Sequence, residues 1–202
     1  MQRRRRASRA FVGRSVLAVA LGVIPAAVCH AQETVRAATF YAGRISSANA
    51  WHDIITSPGQ TEFVDAYVAV AALSREFARQ LEGDLTWEVE GQVGYNFGDQ
   101  VHGEFNAAFG PRWHAFPWGD SVDMSAAFLL GLSYATELPE VEVELEGTSE
   151  QLLIYWCMEL TAGPPRSDWA LSLRLHHRSG GFGFIAEDGG MNAVALGVRL
   201  RF

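Results

Sequence analysis

A histidine and a serine two residues apart are the side chains of this sequence best suited to nucleophilic chemistry. His177 and Ser179 lie in the segment LSLRLHHRSGGFGFIAEDGG, residues 171–190. The first half of this segment alternates apolar and polar residues, which is typical of a β-strand, and side chains two residues apart on a strand project from the same face. An imidazole placed in this way can take the proton of a serine hydroxyl and so activate it for attack on an ester.

The face that carries the pair is otherwise apolar. Four large residues precede the pair on it: Trp169, Leu171, Leu173 and Leu175. A polar pair that continues an apolar row is expected if that face meets lipid and the pair lies at the level of the headgroups. The medium around the strand therefore determines what His177 and Ser179 can act on.

Seven further segments alternate in the same way. After residue 31, no apolar run reaches the roughly 18 residues that a transmembrane helix needs. The strand of the His-Ser pair brings the count to eight, an even number, as a closed antiparallel sheet in the outer membrane requires. The sequence therefore predicts an all-β protein, an eight-stranded antiparallel transmembrane β-barrel. The seven segments are residues 34–44, 62–77, 84–97, 101–116, 121–135, 151–160 and 191–202.

Alternation alone also fits a soluble barrel, such as a periplasmic lipocalin-like carrier. Aromatic residues near the strand ends, as in the girdles of membrane barrels, favour the membrane. The chain also ends on Phe202 after apolar residues at every second position, like the strand that the outer-membrane assembly machinery reads. Acids and arginines occur together on the face opposite the apolar row, which suits the paired interior of a narrow barrel. They are Glu88, Glu90, Glu104 and Glu159 with Arg112, Arg174, Arg199 and Arg201.

The amino-terminal residues predict export. Residues 1–31 combine a cluster of arginines, an apolar stretch and a small-residue end, as a cleaved signal peptide does, which leaves residues 32–202 for the barrel. The remaining chain has ten arginines, no lysine and 23 acidic residues, a net charge of −13. It has no basic patch, so we expect no nucleic-acid partner. Cys157 is its one cysteine, so a disulfide framework is excluded.

The lengths of the connections predict the orientation. If the chain starts in the periplasm, the two long connections, 45–61 and 136–149, are external, and His177 and Ser179 lie at the external end. The alternating EVEVELE stretch, residues 140–146, is expected to extend the fifth and sixth strands above the membrane. On the opposite face of the seventh strand, His176 is expected in the lumen. Arg178 is expected either to pair with an interior glutamate or to meet a lipid phosphate at the rim.

These features resemble the lipid A deacylase family, the outer-membrane lipid A 3-O-deacylases and the acyloxyacyl-hydrolase-like proteins grouped with them. The resemblance rests on His177-Arg178-Ser179 near the end of the penultimate strand, the glycine-rich loop after it, GGMN at 189–192, and the closing ALGVRLRF. It implies an integral protein of the bacterial outer membrane that hydrolyses an acyl ester of lipid A, within the lipopolysaccharide of the outer leaflet.

The resemblance also implies roles for individual residues. Ser179 would be the nucleophile, His177 the general base and then acid, and an acid of the 180–190 loop would orient the imidazole. Glu187 is the predicted acid, with Asp188 as the alternative. No metal and no cofactor are expected, since the spacing of the histidines suits no metal site.

This sequence departs from the family's pattern after the serine. Gly180 stands where the family has an asparagine that helps to hold the oxyanion, so a backbone amide of Gly180 or Gly181 would have to take that role. A non-enzymatic barrel with a structural or adhesive role is the alternative. In that case HHRSGG is only the polar end of a strand at the headgroup level.

Overall fold

The computed structural model describes residues 35–47 and 51–202, so the predicted signal peptide lies outside the described residues. Eight antiparallel strands form a closed barrel, in which β1 pairs with both β2 and β8. The predicted fold class and all eight predicted strands are confirmed. The strands are β1 (Arg36–Ser46), β2 (Phe63–Gln80), β3 (Leu85–Gly98), β4 (His102–Trp113), β5 (Asp123–Ala135), β6 (Leu152–Gly163), β7 (Trp169–Ser179) and β8 (Gly190–Arg201).

Two short helices interrupt the connections at the end of the barrel where β7 ends and β8 begins. Helix α1 (Trp51–Thr56) lies between β1 and β2, and α2 (Glu140–Glu146) lies between β5 and β6. Single 3-10 turns occur at Pro58–Gln60 and Leu81–Gly83. Within residues 35–47 and 51–202, no helix is long and apolar enough to cross a bilayer.

The outward face of the barrel is apolar around its whole circumference. Each strand exposes at least one large apolar side chain, an arrangement that is unfavourable in water and expected in the hydrocarbon of a membrane. The alternation of the sequence therefore places its apolar row outward, as predicted for a barrel in a lipid bilayer. One such exposed residue from each strand, in order, is Phe40, Leu73, Val93, Phe105, Leu130, Leu160, Leu171 and Leu196.

The inward face carries a closed network of charges. Arg174 contacts Glu90 at 2.7 Å and Glu159 at 2.9 Å. Arg112 and Arg199 each contact Glu88 at 2.7 Å, and Arg112 also pairs with Glu159. Every charged group in this network therefore has an opposite partner, which buried charges require. The predicted interior pairing is confirmed for these residues.

A second polar layer lies nearer the end that carries α1 and α2. The His176 ring contacts Glu104 through Nε2 at 2.8 Å and the Tyr41 hydroxyl through Nδ1 at 3.1 Å. Tyr155 packs edge-on against the same ring, with the centroids 4.9 Å apart. His176 therefore lies in the lumen, as predicted.

The stretch 140–146 is a helix, so the prediction that it extends β5 and β6 was wrong. In a stretch of only seven residues, alternation also leaves Val141 and Leu145 four positions apart, and this spacing puts both on one face of a helix. Val141 is buried in the apolar cluster at the mouth of the barrel. Gly147 ends the helix in the left-handed conformation (φ 82°), where its N–H donates to the carbonyl of Val143.

Helix α2 places a buried carboxyl group beside an arginine at the mouth of the barrel. Glu142 is fully buried, contacts Arg178 Nη1 at 3.0 Å and accepts a hydrogen bond from the Ser149 hydroxyl at 2.5 Å. A further nitrogen of Arg178 donates to the carbonyls of Glu150 and Gln151. Arg178 therefore pairs with an interior glutamate, and the alternative prediction that it meets a lipid phosphate was wrong.

Candidate active site

The predicted pair lies where β6, β7 and β8 meet, at the end of the barrel that carries the long connections. His177 is directly opposite Trp156 of β6 and Asn192 of β8, and Ser179 is opposite Ile154 and Gly190. Residues opposite one another in an antiparallel sheet project from the same face. The strand register thus surrounds the pair with side chains on the outer surface of the barrel.

His177 points outward but is covered. Along the outward row of β7, the exposed fraction falls from 59% at Leu171 and 45% at Leu173 to 8% at both Leu175 and His177. The indole of Trp156 packs against the imidazole, with ring centroids 4.3 Å apart and 30° between the planes. Trp51 of α1 packs edge-on against Trp156, at 5.5 Å. The expectation that the pair opens directly to lipid is therefore corrected: an aromatic layer shelters it.

A side chain of β8 fixes the orientation of the imidazole. Nδ1 of His177 lies 2.8 Å from Oδ1 of Asn192, so its N–H donates to the amide oxygen. This tautomer leaves Nε2 without a proton, which is the form that a general base needs. The arrangement is that of a histidine held by a third group, with an amide in the orienting position.

Glu187 and Asp188 do not hold the imidazole in this structure. Both are exposed and line the groove around the pair, but within the described residues neither is hydrogen-bonded to His177. Asn192 was missed from the sequence, although it belongs to the quoted GGMN motif. Pairing β7 with β8 across the 180–189 loop would have placed it directly opposite His177.

Ser179 is half-buried beside the imidazole and lines the same groove. Among the described residues, no hydrogen bond joins its hydroxyl to the ring of His177. Hydrogen bonds between a nucleophile and its base are commonly long until substrate binds. The structure therefore brings Ser179 and His177 together on one surface, as predicted.

The glycines after the serine form a tight turn with one available amide. Gly180 donates its N–H to the carbonyl of Gly189 at 3.1 Å, so this amide is engaged. Gly181 adopts φ +69°, a left-handed conformation that favours glycine, and a Cβ there would also lie 2.3 Å from Cδ1 of Ile154. In the described part of the chain, the N–H of Gly181 has no acceptor. Of the two amides predicted for an oxyanion, Gly181 therefore remains.

The pair lies at the head of a groove in the outer wall of the barrel. Two cavities form it, one of about 580 Å³ around His177 and Ser179 and an apolar one of about 630 Å³ beside it. Phe128 and Met158 line both, so the two cavities adjoin. We call the two adjoining cavities together the wall groove. The apolar part of the wall groove is lined by Ile55, Leu85, Pro111, Trp113, Ala126, Phe128, Met158, Leu160, Leu173 and Leu175.

Comparison with known proteins identifies the fold. No family model and no curated protein sequence matches the chain. The outer membrane enzyme PagL superimposes with a TM-score of 0.57 at 12% identity, covering 81% of this chain and 98% of PagL. Neisserial surface protein A superimposes with a TM-score of 0.50 at 12% identity, covering 85% of this chain and all of that protein. Ail of Yersinia pestis superimposes with a TM-score of 0.48 at 12% identity, covering 84% of this chain and 98% of Ail.

At this identity, the likeness to PagL and to the neisserial protein establishes the fold. Together with the apolar outward face, it identifies the protein as an integral β-barrel of the outer-membrane type and places it in that membrane. PagL is an enzyme and the neisserial protein is a surface protein, so the shared fold does not decide between catalysis and other roles. That decision depends on the chemistry of the site.

Proposed function

We propose that the protein is an outer-membrane esterase that removes an ester-linked acyl chain from lipid A. The observation that carries this proposal is the His177–Ser179 pair at the head of the wall groove, with the imidazole oriented by Asn192. The resemblance of residues 177–179 and 189–192 to the lipid A deacylases supports the choice of substrate. The likeness to an outer-membrane enzyme supports catalysis on this fold.

The reaction proceeds through an acyl-enzyme. Nε2 of His177 takes the proton of the Ser179 hydroxyl as Oγ attacks the ester carbonyl, and the N–H of Gly181 donates to the oxyanion of the tetrahedral intermediate. The intermediate collapses, the C–O bond to the sugar breaks, and the imidazolium gives its proton to the departing alkoxide. Water then attacks the acyl-enzyme with the same histidine as base, which releases a fatty acid and restores Ser179.

In this mechanism Asn192 sets the tautomer of His177, and Glu187 has a different part. Glu187 lines the groove beside the pair and adds negative charge near the imidazolium that forms during the reaction. The effect of such an exposed carboxylate is small, because water and salt screen it. The predicted triad thus becomes Ser179, His177 and Asn192, with Glu187 in a supporting position.

The substrate class follows from where the groove lies. It opens on the lipid-facing surface at the end of the barrel with the long connections, which the predicted orientation makes the external end. An acyl chain of the outer leaflet can therefore enter the apolar part of the wall groove while its ester reaches Ser179. Lipid A supplies such chains in the outer leaflet.

Covalent labelling tests the proposed chemistry directly. The folded protein in detergent is treated with a long-chain alkyl fluorophosphonate, and its intact mass and the labelled peptide are determined. We expect one adduct, on Ser179, that is lost in Ser179→Ala and kept in the control Ser121→Ala, which changes an exposed serine of the opposite turn. A folded protein that takes no label, or that is labelled equally after Ser179→Ala, would overturn the proposal.

A second candidate function is adhesion. Phe182 and Phe184 are exposed to solvent on the β7–β8 loop. Bare aromatic side chains at the tip of an external loop favour contact with another surface. Phe182→Ser with Phe184→Ser would abolish binding to cells in this case and leave labelling of Ser179 unchanged.

A further inference from the structure

The short helix α1 presents its apolar side to the barrel. In its sequence, WHDIIT, Ile54 is buried, and Trp51 and Ile55 lie four residues apart on one face of the helix, where they are 38% and 52% exposed. A helix of six residues is not stable by itself in water. Its position therefore depends on contacts with the wall, such as the edge-on packing of Trp51 against Trp156.

Two of the three large apolar residues of α1 line the two parts of the wall groove. Trp51 lines the cavity that contains His177 and Ser179, and Ile55 lines the apolar cavity that contains Leu175. One turn of helix, about 5.4 Å, separates them. Helix α1 therefore lies along the groove and spans the junction between its two parts.

The burial of β7 shows the effect of this cover. The drop in exposure begins at Leu175, which shares a cavity with Ile55, and continues at His177, which shares a cavity with Trp51. Leu173, which lines the same apolar cavity farther down the row, is 45% exposed. The cover is thus tight at Leu175 and His177 and open at Leu173.

We propose that α1 encloses the acyl chain against the barrel wall and that Trp51 and Ile55 select which acyl chains are hydrolysed. This inference rests on the proposed esterase function. Trp51 bounds the groove near the scissile ester, and Ile55 contacts the chain farther from the carbonyl. A bulkier residue at position 55 obstructs long chains and leaves short ones unaffected.

Enclosure matters because the surrounding lipid is already apolar. An acyl chain gains little hydrophobic free energy when it leaves the bilayer for an apolar groove, so packing contacts must hold it there. A groove open on one side provides fewer of these contacts than one closed by a helix. Holding the chain in place keeps the ester near Ser179, which raises the effective concentration of the reacting groups.

Chain-length preference tests the inference. The folded protein in detergent is given the p-nitrophenyl esters of butanoic, octanoic and hexadecanoic acids. We expect Ile55→Trp to lower kcat/KM for the hexadecanoate about tenfold and to leave the butanoate unchanged. Ile55→Ala, which only removes atoms from a half-exposed side chain, should shift the preference towards longer chains. Leu196→Trp, on the exposed wall of β8, is the matched control and should keep the original profile.

The outcomes separate the two proposals. Absence of Ser179-dependent hydrolysis of every ester by the unaltered, folded protein overturns the esterase function and the inference with it. Ser179-dependent hydrolysis with the same chain-length profile in both Ile55 variants leaves the esterase and overturns the role of α1. The different migration of heated and unheated samples in detergent gels establishes that each variant is folded.

Discussion

The imidazole Nδ1 of His177 lies 2.8 Å from the side-chain oxygen of Asn192, across the β7–β8 pair. A neutral amide therefore occupies the orienting position in which many serine hydrolases have a carboxylate. The amide fixes the tautomer as a carboxylate does, but it offers no charge to the imidazolium that the proposed reaction forms. This relationship makes Asn192 the first residue to test.

Asn192→Leu is expected to lower kcat for ester hydrolysis about 100-fold, because the imidazole loses the acceptor that keeps Nε2 free to act as base. Asn192→Asp should retain or exceed the original activity, since a carboxylate accepts the same hydrogen bond and stabilises the imidazolium. Steady-state kinetics on a short ester measure both. Equal losses in the two variants would mean that the position is only structural.

Glu187→Gln is expected to change kcat less than about threefold, because an exposed carboxylate acts weakly through water. Asp188→Asn should behave in the same way. The same kinetic assay applies, with Asn192→Leu as the reference for a large effect. A loss of about 10⁴-fold in Glu187→Gln, as expected when the acid of a triad is neutralised, would restore Glu187 as the orienting residue.

Glu159→Ala should destabilise the barrel strongly. Glu159 contacts Arg174 and Arg112 in the lumen, and its removal leaves the three buried arginines of the network with two glutamates, which is one positive charge in excess. The expected loss is about 3–5 kcal/mol of unfolding free energy. Urea titration in lipid vesicles, with Glu187→Ala as a control on the exposed surface, provides the comparison. Equal midpoints for the two variants would show that the interior network contributes little.

Docking of α2 is expected to strengthen as the pH falls below neutral. Burial raises the pKa of Glu142 despite the attraction of Arg178, and burial followed by the charge of Asp188 raises the pKa of Glu146. Because these carboxyls bind protons more tightly in the docked helix than in a free one, the stability they contribute is present at low pH. It is lost as the pH rises through the raised pKa values.

Limited proteolysis of residues 137–151 at several pH values measures this docking. Cleavage should slow as the solution becomes more acidic, after correction for the activity of the protease on an unfolded peptide. Glu142→Gln with Glu146→Gln should remove most of the dependence, because these side chains no longer titrate. Faster cleavage at low pH in the unaltered protein would contradict the prediction.

The strands and the charged interior could be predicted because both follow from a local pattern. Alternation with a period of two over ten or more residues indicates a β-strand. The acids and arginines on the polar face of these strands must pair with each other if that face encloses the barrel interior. The same pattern misled at residues 140–146. Seven residues are too few to separate a strand from a helix whose apolar positions, such as Val141 and Leu145, are four apart.

The site was predictable only in part. His177 and Ser179 were visible because two residues on one strand share a face. Asn192 becomes visible only once β7 and β8 are paired in register, and the cover by Trp51 depends on where a long connection folds back. Neither the register across a ten-residue loop nor the path of that connection is encoded in local periodicity.

Mass spectrometry of lipid A from cells that produce this protein tests the central claim most directly. Cells that produce Ser179→Ala, at the same level in the outer membrane, are the comparison. We expect lipid A to lose one ester-linked acyl chain only with the unaltered protein. Identical lipid A in both, with both barrels folded in the membrane, would contradict the assignment of this protein as a lipid A esterase.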